Sequence, residues 1–376
     1  MILPGATLGL LGGGQLGRMF TQAAQRIGFE VVVLDPDPAS PAGRIGSRHL
    51  RAAYTDEAAL RELGTVARAV TTEFENVPAG SLAFLRQFCP VRPGPEAVTL
   101  TQDRLVEKRF ARAQGLATAD FRAIHEVGDC ARAFGEIGAP ALIKTAQLGY
   151  DGKGQAAVES VADAEAAFHR FGGRPSILEA RVPLELEISV VLARGGDGAI
   201  VTFPVAENRH VQGILDTSVV PARIPEGLAV RAREAAATLA DAMDYVGTMA
   251  VEFFVVNGGR LLVNELAPRP HNSGHYTLDA CATDQFEQQV RAVAGLPLGD
   301  TTLLQPVAMV NLLGELWAAG EPQWGRALED PRVQLHLYGK TEPRPGRKMG
   351  HINVLAPTAD AALAAARAAR ERLTAS

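Results

Sequence analysis

MAVEFFVVNGGRLLVNELAPRPHNSGH, residues 249–275, places two apolar runs on either side of an Asn-Gly-Gly turn and predicts a β-hairpin over residues 248–266. Glu252 and Glu265 interrupt these runs, and a buried carboxylate is costly unless a cation or hydrogen bonds compensate it. With a two-residue loop, Val263 lies opposite Glu252, and Glu265 is a diagonal neighbour on the same face. The two acids are therefore predicted to bind Mg²⁺ with phosphate oxygens, the alternative being two solvent-facing acids.

A glycine-rich loop follows an apolar strand earlier in the chain. The strand APALIKTA carries Lys144, and LGYDGKGQ comes directly after it. Backbone amides of residues 149–155 are predicted to fold over a triphosphate that Lys144 neutralises. The segment is not a P-loop, because GxxxxGK[ST] is absent. Tyr150, Asp151 and Lys153 are candidates for substrate contact and proton transfer, and the alternative is a hairpin turn with incidental charges.

The start of the chain, ATLGLLGGGQLG, leads from an apolar strand into a helix-like stretch at 15–27, and EVVVLDPD follows. This order predicts the first strands of a parallel α/β sheet. Gly12, Gly14 and Gly17 match the dinucleotide fingerprint, with Asp35 where a ribose-binding acid is expected. That fingerprint requires only a tight turn and a helix N-terminus, which can bind any phosphate. Dinucleotide binding, a general anion site and simple packing all stay open.

Two further motifs place charged residues at the ends of predicted elements. Glu179 ends an apolar strand and Glu187 lies in an alternating stretch, so each is either a surface acid or a nucleotide contact. Lys340, Arg347 and Lys348 gather around the Pro-Gly turn of LYGKTEPRPGRKMGH. A compact basic turn of this kind suits a phosphate monoester, and the alternative is a solvated basic loop.

The composition excludes several classes of protein. With 376 residues, 47% hydrophobic and 21% charged, the chain is typical of soluble globular proteins of two or three domains. A net charge of −5 gives no basic footprint for nucleic acid or a membrane surface. The apolar runs are too short to span a bilayer, and the first residues lack the basic region of a signal peptide. Three scattered cysteines indicate neither disulfides nor a metal site, so we expect a cytoplasmic protein.

The motifs follow one another in an order that resembles the ATP-grasp ligases of purine biosynthesis. That order is GGGQLG, TTEFEN, Asp103-Arg104, IKTAQLGYDGKGQ, the hairpin with NELAPRPHNSGH, and PGRKMGH. Over nearly the whole chain the pattern is similar to the family of 5-(carboxyamino)imidazole ribonucleotide synthetases. The resemblance implies an α/β ATP-grasp fold with three parts. These are a Rossmann-like pre-ATP-grasp domain at 1–98, an ATP-grasp domain at 99–300 with its lid at about 118–180, and a small C-terminal domain at 301–376.

The resemblance also implies an activity. Enzymes of this family carboxylate 5-aminoimidazole ribonucleotide with ATP and bicarbonate through carboxyphosphate, in de novo purine synthesis, and release ADP and phosphate. The resemblance also implies that ATP and Mg²⁺ are cofactors, that the protein is a homodimer, and that its product passes to a carboxyaminoimidazole ribonucleotide mutase.

Site residues carry over from the family by their place in the matching motifs. Those implied to bind ATP are Arg104, Lys144, Gly149, Tyr150, Asp151, Gly152, Lys153, Gly154, Gln155, Glu179, Ala180, Arg181, Val182, Glu187, His210, Asn264 and Glu265. Those implied to bind the ribonucleotide are Gln15, Leu16, Glu73, Tyr150, Lys153, Ser273, Lys340, Arg347 and Lys348. Asp151 and Lys340 are the implied catalytic residues, and Glu252 and Glu265 the metal ligands. The tail 269–275 is implied to carry substrate identity.

One position departs from the wider superfamily, and three other functions compete with this one. Many ATP-grasp enzymes place an Asn metal ligand two residues after the second acid, where this chain has Ala267, so one Mg²⁺ is expected and a second stays open. Without the family resemblance, His210 and His275 are each predicted to have a structural role rather than a catalytic one. The competing functions are a formate-dependent glycinamide ribonucleotide transformylase, an NAD oxidoreductase that uses Asp35, and a non-catalytic nucleotide-binding regulator.

Overall fold

The computed structural model describes residues 1–149 and 154–374. The strands, in chain order, are β1 (Thr7–Leu11), β2 (Glu30–Leu34), β3 (Arg48–Leu50), β4 (Ala69–Thr72), β5 (Phe121–Ile124), β6 (Ala141–Thr145), β7 (Gln155–Val158), β8 (Ser176–Ala180), β9 (Leu184–Arg194), β10 (Ile200–Thr202), β11 (Ala206–Val211), β12 (Ile214–Val220), β13 (Gly247–Val256), β14 (Arg260–Ala267), β15 (Val307–Leu313), β16 (Val333–Leu337) and β17 (Lys348–Leu355).

The α-helices lie between groups of these strands, and two short 3-10 helices lie at Asn272–Gly274 and Gly314–Trp317. The α-helices are α1 (Gln15–Arg26), α2 (Glu57–Val66), α3 (Ala79–Leu85), α4 (Pro95–Thr101), α5 (Arg104–Ala113), α6 (Asp129–Ile137), α7 (Val161–Arg170), α8 (Glu226–Ala242), α9 (Thr277–Ala280), α10 (Gln285–Ala294), α11 (Trp324–Ala327) and α12 (Ala359–Arg372). Across the described residues, no helix has the length and apolar character needed to cross a membrane.

The N-terminal sheet is parallel, with strand order β3-β2-β1-β4. Strands β1, β2 and β4 are short and almost wholly buried, because helices pack on both faces of the sheet. Helix α1 packs Leu16, Met19 and Phe20 into a core that also contains α10. The predicted strand–glycine turn–helix–strand start is therefore confirmed. Strand β3 was not predicted, because three residues with a charged first member carry no readable periodicity.

The central sheet is antiparallel in all its recorded pairings, in the order β14-β13-β9-β11-β12-β15-β17-β16, with β10 also paired to β9. Helix α8 packs small and apolar side chains against β9 and β13, and α12 packs against β15 and β17. The pairing of β12 with β15 carries the sheet across residue 301, where the sequence predicts a domain boundary. The three domain ranges stay a prediction.

The hairpin of β13 and β14 forms as predicted, but its predicted register is wrong. Residues 257–259 all have positive φ and make a loop of three residues, so that Val256 pairs with Arg260. The prediction assumed a two-residue loop with Val256 opposite Gly259. Asn and Gly tolerate the left-handed backbone that this longer turn requires.

A β-bulge between Glu252 and Phe253 corrects the placement of the two acids. Phe253 pairs with Val263, and Glu252 pairs directly with Glu265, which leaves Asn264 as the extra residue on β14. The sequence predicted Val263 opposite Glu252 and a diagonal relation between the acids. The three-residue loop shifts the pairing by one residue and the bulge shifts it by a second, and together they bring the carboxylates onto the same cross-strand pair.

A smaller antiparallel sheet, in the order β5-β8-β6-β7, packs against α6 and α7. In its register Lys144 on β6 lies opposite Ile177 on β8. Glu179 follows Ile177 by two positions, so its side chain shares the face of Lys144. This register brings a lysine and a carboxylate together at the end of the sheet that precedes the glycine-rich loop.

Candidate functional site

The site begins with three charged side chains that meet inside the protein. The Glu179 carboxylate forms one ion pair with Lys108 on α5, at 2.6 Å, and a second with Lys144 on β6. The side chains of Lys108 and Glu179 are 2% and 3% exposed, whereas that of Lys144 is 12% exposed. Burial raises the pKa of Glu179, but the two ammonium groups outweigh it and lower the pKa to about 2. Two cations and one anion leave a net positive charge that suits a phosphate.

A second ion pair connects α5 to the hairpin. Arg104, the first residue of α5, donates to Glu265 at 3.2 Å and to the carbonyl oxygen of Gly149 at 3.4 Å. Helix α5 is capped by Asp103, whose carboxylate accepts from two backbone amides of the first turn. The sequence pair Asp103-Arg104 thus has two roles, because the first residue begins the helix and the second reaches the site.

The two predicted metal ligands stand opposite each other on the hairpin. Burial is the main reason that the pKa of Glu252 rises to about 7, and the carboxylates of Glu265 and Glu187 add to the rise. His271 Nε2 lies 3.6 Å from the Glu252 carboxylate. Crowded carboxylates of this kind fit a divalent cation, since it relieves their repulsion.

The composition of this cradle is compatible with Mg²⁺. Among residues 1–149 and 154–374, no group of three or more His, Cys, Asp or Glu side chains is arranged to hold a metal ion. Mg²⁺ commonly uses one or two protein carboxylates and takes its other ligands from substrate phosphates and water. Two acids therefore suffice when a nucleotide supplies the remaining oxygens. Ala267 is buried and has no ligand atom in its side chain.

Four of the predicted residues line one narrow cavity beside the acids. Glu187, His210, Glu252 and Asn264 share it with Phe254 and neighbouring residues. His210 Nδ1 is hydrogen-bonded to Glu187. Burial lowers the pKa of His210, but this bond and nearby carboxylates outweigh it, so the pKa is raised. The predicted structural role of His210 is consistent with this pairing, and its implied nucleotide contact stays a prediction.

The ends of the glycine-rich loop are anchored on the site. Gly149 accepts from Arg104, the carbonyl of Gly154 accepts from the Thr145 amide at 2.8 Å, and Gln155 pairs with Lys144 across the small sheet. The loop therefore leaves and re-enters next to the buried lysines. The remaining predicted residues of the loop lie outside the described part of the chain, namely Tyr150, Asp151, Gly152 and Lys153.

At the glycine motif before α1, the backbone amides donate hydrogen bonds to carboxylates of the protein itself. The Glu73 carboxylate accepts from the amides of Gly14 and Gly17, the second at 2.7 Å. The Asp35 carboxylate accepts from the Gly13 amide at 2.7 Å and is 7% exposed. Asp35 also accepts from a tyrosine hydroxyl at 2.6 Å. Glu73 thus occupies amide donors that a pyrophosphate requires, and Asp35, the acceptor that a ribose hydroxyl requires, already accepts two internal hydrogen bonds, so the structure favours packing over dinucleotide binding.

The basic motif near the C-terminus faces the same region. The Lys340 ammonium donates to the Lys348 carbonyl at 2.7 Å, and Arg347 donates to the Glu342 carbonyl at 2.9 Å. Burial raises the pKa of Glu73, and the positive charge of Lys340 opposes that rise. Arg44 donates to the carbonyl oxygen of Gly339 at 3.3 Å, so the segment that leads into Lys340 contacts the N-terminal part of the chain.

A bidentate ion pair joins the hairpin tail to the N-terminal sheet. Arg269 donates to both carboxylate oxygens of Glu75, the longer contact being 3.3 Å. The side chains are 16% and 22% exposed. Burial raises the pKa of Glu75, but the guanidinium outweighs it, so the pKa is lowered. The tail of residues 269–275 is thereby fixed against the segment that follows β4 and carries Glu73 and Glu75.

Several residues predicted to contact ligands use their polar groups inside the protein. Ser273 is fully buried, where Ser189 donates to its hydroxyl at 2.7 Å and His271 Nδ1 lies 2.9 Å away. The Ala180 and Arg181 amides donate to main-chain carbonyls. Other positions are not fully enclosed. Gln15 and Val182 are half-buried, and Leu16 is 7% exposed. The ligand contacts of all these residues stay predictions.

The sequence did not single out three residues of the site. Lys108 pairs with Glu179, His271 approaches Glu252, and Glu107 is buried with its pKa raised to about 8, first by burial and then by Glu265. A signal for Lys108 exists, because it lies four residues after Arg104 on one helix and shares its face. His275, predicted to be structural, is fully buried beside Gln285.

Comparison with known proteins gives three family matches. A model of the ATP-grasp domain matches residues 109–286, and a ribonucleotide synthetase preATP-grasp model matches residues 5–102. A model of the phosphoribosylaminoimidazole carboxylase C-terminal domain matches residues 307–365. Together these matches run through most of the chain in the order that the motifs implied.

Relatives of similar length support the same assignment. The chain is 45% identical over 356 residues to an N5-carboxyaminoimidazole ribonucleotide synthase of Brucella melitensis, covering 94% of this chain and 97% of the relative. A Bacillus subtilis protein of the same name is 43% identical over 359 residues, covering 94% and 93% of the two chains.

Two solved structures have the same architecture. An ADP complex of an N5-carboxyaminoimidazole ribonucleotide synthetase has a TM-score of 0.93 at 43% identity, covering 98% of this chain and 97% of that chain. An Aspergillus clavatus N5-carboxyaminoimidazole synthase, in complex with ADP and 5-aminoimidazole ribonucleotide, has a TM-score of 0.90 at 30% identity, covering 98% of each chain.

Proposed function

Because this chain belongs to the N5-carboxyaminoimidazole ribonucleotide synthase family of ATP-grasp ligases, we propose that it uses ATP and bicarbonate to carboxylate 5-aminoimidazole ribonucleotide. The family, the fold class and the assignment as an ATP-dependent ligase of purine biosynthesis agree with the sequence predictions, which are confirmed at that level. Bicarbonate, carboxyphosphate and Mg²⁺ belong to the proposal, as does the role of each site residue.

The observation that carries the proposal is the pairing of Glu252 with Glu265 together with the ion pairs that Arg104 and Lys144 form nearby. Arg104 contacts Glu265, and Lys144 contacts Glu179 on the facing sheet. Phosphoryl transfer requires paired acids that hold a cation, together with fixed ammonium and guanidinium groups that contact the phosphates. In the proposal, Glu252 and Glu265 would hold Mg²⁺, which would neutralise charge on the transferred phosphoryl group.

The reaction is proposed to proceed in three steps. A bicarbonate oxygen attacks the γ-phosphorus, the bond to the β-phosphate oxygen breaks, and ADP leaves while Lys144 and Arg104 balance the charge. Carboxyphosphate then cleaves at its carbon–oxygen bond to carbon dioxide and phosphate. The amine of the ribonucleotide adds to carbon dioxide, and its proton goes to Asp151, with Lys340 close to the transfer. Closure of the lid protects the unstable intermediate from water.

The basic motif is proposed to bind the phosphate of the ribonucleotide. Replacing Arg347 with Ala is expected to raise the apparent KM for 5-aminoimidazole ribonucleotide about tenfold or more, because a charge-assisted contact to phosphate is lost. The apparent KM for ATP is expected to stay within about twofold of the parent value. Steady-state kinetics with each substrate varied in turn measure both constants, and equal increases in the two contradict a phosphate role.

The remaining parts of the proposal concern the enzyme's surroundings. The expected assembly is a homodimer, and the product is expected to pass to a carboxyaminoimidazole ribonucleotide mutase in the cytoplasm. The proposed domains are residues 1–98, 99–300 and 301–376, with the lid at about 118–180. The family resemblance supports each of these, and size measurement in solution tests the dimer directly.

Release of phosphate from ATP, measured with different acceptors, tests the function. Rapid release is expected only with 5-aminoimidazole ribonucleotide and bicarbonate together, because the two are joined in one product. Release that depends instead on formate and glycinamide ribonucleotide assigns the chain to the sister transformylase. Transfer of a hydride from a nicotinamide cofactor without ATP consumption overturns the proposal.

A further inference from the structure

Lys108 is a buried charge for which the proposed reaction has no use. Its side chain is 2% exposed, and its ammonium lies 2.6 Å from Glu179 and 3.1 Å from the carbonyl oxygen of Asn264. These two acceptors come from the small sheet and from the hairpin, so Lys108 on α5 contacts both sides of the site. A lysine this deeply buried is uncommon unless it is paired.

We propose that Lys108 is a positioning residue, which keeps the Glu179 carboxylate paired and in place when Lys144 turns to the phosphates of a bound nucleotide. The inference rests on the proposed function, because it takes Lys144 and Glu179 as parts of the nucleotide site. It adds a residue that touches neither substrate nor the reacting atoms. Its role is carried entirely through Glu179.

The argument starts from the unequal surroundings of the two lysines. Both contact Glu179, but the side chain of Lys144 retains 12% of its exposure and stands next to the glycine-rich loop. Lys108 is enclosed and held by a second acceptor. Lys144 is therefore the cation that can exchange its carboxylate for a phosphate, and Lys108 is the one that stays.

The consequence follows from the cost of an unpaired buried charge. Without Lys108, the departure of Lys144 leaves the Glu179 carboxylate buried with no cation, and such a state is strongly disfavoured. Lys144 then remains on Glu179 and the phosphates lose a partner. With Lys108 present, Glu179 keeps one ion pair throughout. The defect expected from loss of Lys108 therefore appears on nucleotide binding and not on folding, because Lys144 still pairs with Glu179 in the free protein.

The test uses the full chain with Lys108 replaced by Met, which is close in length and uncharged. ADP with Mg²⁺ is expected to bind roughly tenfold or more weakly to this variant, and the apparent KM for ATP is expected to rise similarly. The apparent KM for the ribonucleotide is expected to stay unchanged. Arg109→Met is the matched control, since it removes a cation from the exposed face of the same helix. ADP affinity equal to that of the parent, or equal losses for both substrates, overturns the proposal.

A double variant separates positioning from general damage. Because Lys108 acts through the charge of Glu179, Lys108→Met combined with Glu179→Gln is expected to lose less ADP affinity than the product of the two single losses. Losses that multiply overturn the proposal. Failure of Lys108→Met to fold while Lys144→Met folds also overturns it, because Lys108 is then needed before any nucleotide arrives.

Lys144→Met distinguishes failure of this inference from failure of the proposed site. If Lys144→Met binds ADP as tightly as the parent, the nucleotide site itself is misplaced. If Lys144→Met loses affinity and Lys108→Met does not, the nucleotide site stands and only the positioning role falls.

Discussion

Replacing Glu252 with Gln is expected to lower kcat by about 100-fold or more. Glu252 stands directly opposite Glu265, and burial with neighbouring carboxylates raises its pKa to about 7. Carboxylates that crowd each other in a buried site gain most from a divalent cation, and an amide supplies an oxygen without the charge that binds it. Steady-state phosphate release, measured over a series of Mg²⁺ concentrations, gives kcat and the apparent affinity for the metal together.

The matched control for this variant is Glu185→Gln. Glu185 is exposed on β9, and its carboxylate accepts from the amide of Gly258 in the hairpin turn. An amide oxygen can replace that contact, so kcat is expected to stay within about twofold of the parent. Thermal unfolding of both variants checks that the fold is retained. Near-normal kcat in Glu252→Gln would falsify the assignment of Glu252 as a metal ligand.

Replacing Arg269 with Met is expected to lower the free energy of unfolding by about 3 kcal/mol. Arg269 makes a bidentate ion pair with Glu75 across 194 residues of sequence, and both side chains are largely enclosed. Loss of the guanidinium leaves a carboxylate in a poorly solvated position. Urea unfolding of parent and variant measures the change, and the double variant with Glu75→Gln is expected to recover part of it, because no charge is then left unpaired.

The pH dependence of this effect has a definite sign. In the parent, Arg269 holds the pKa of Glu75 below its ordinary value despite burial, so the pair stabilises the fold above that ordinary value and is lost as pH falls through the lowered pKa. In the variant the largest opposing charge is gone, so burial raises the pKa of Glu75 relative to the parent, and protonation relieves the unpaired charge. The difference in the free energy of unfolding between parent and variant is therefore expected to become smaller as pH falls.

An exposed ion pair provides the comparison. Arg48 and Glu62 are 53% and 42% exposed, and Arg48→Met is expected to change stability by less than about 1 kcal/mol. If Arg269→Met and Arg48→Met destabilise equally, or if the gap between parent and Arg269→Met widens as pH falls, the buried pair does not have the role assigned to it.

Local chemistry explains which parts of the site the sequence could predict. Glu252 and Glu265 stood out because acids interrupt two runs of apolar residues, and Lys144 because a strand delivers it to a glycine-rich loop. The fold class also followed from motif order. By contrast, GxGxxG and Asp35 suggested a ligand site that Glu73 and Asp35 fill themselves. A fingerprint shows where donors lie and does not show which acceptor reaches them.

The register of the hairpin shows a second limit. The sequence predicted two strands and a turn near residues 257–259, and both are present. It placed Glu265 diagonal to Glu252, because it assumed a two-residue loop and because nothing in the letters marks Asn264 as a bulge. Bulges are decided by how two strands fit the sheet around them, and the pairing of β13 with β9 belongs to that context.

By itself the sequence determined most of the elements, the order of the motifs and the residue types suited to cations and phosphates, because periodicity and turn chemistry are local properties. Only the tertiary structure decided which charges meet. Lys108 reaches Glu179, Arg104 reaches Glu265 and Arg269 reaches Glu75 across wide gaps in sequence. Such contacts depend on sheet order and register, which short segments do not encode. Glu252 and Glu265 come from the hairpin, and the fold places them opposite each other, with Arg104 in contact with Glu265.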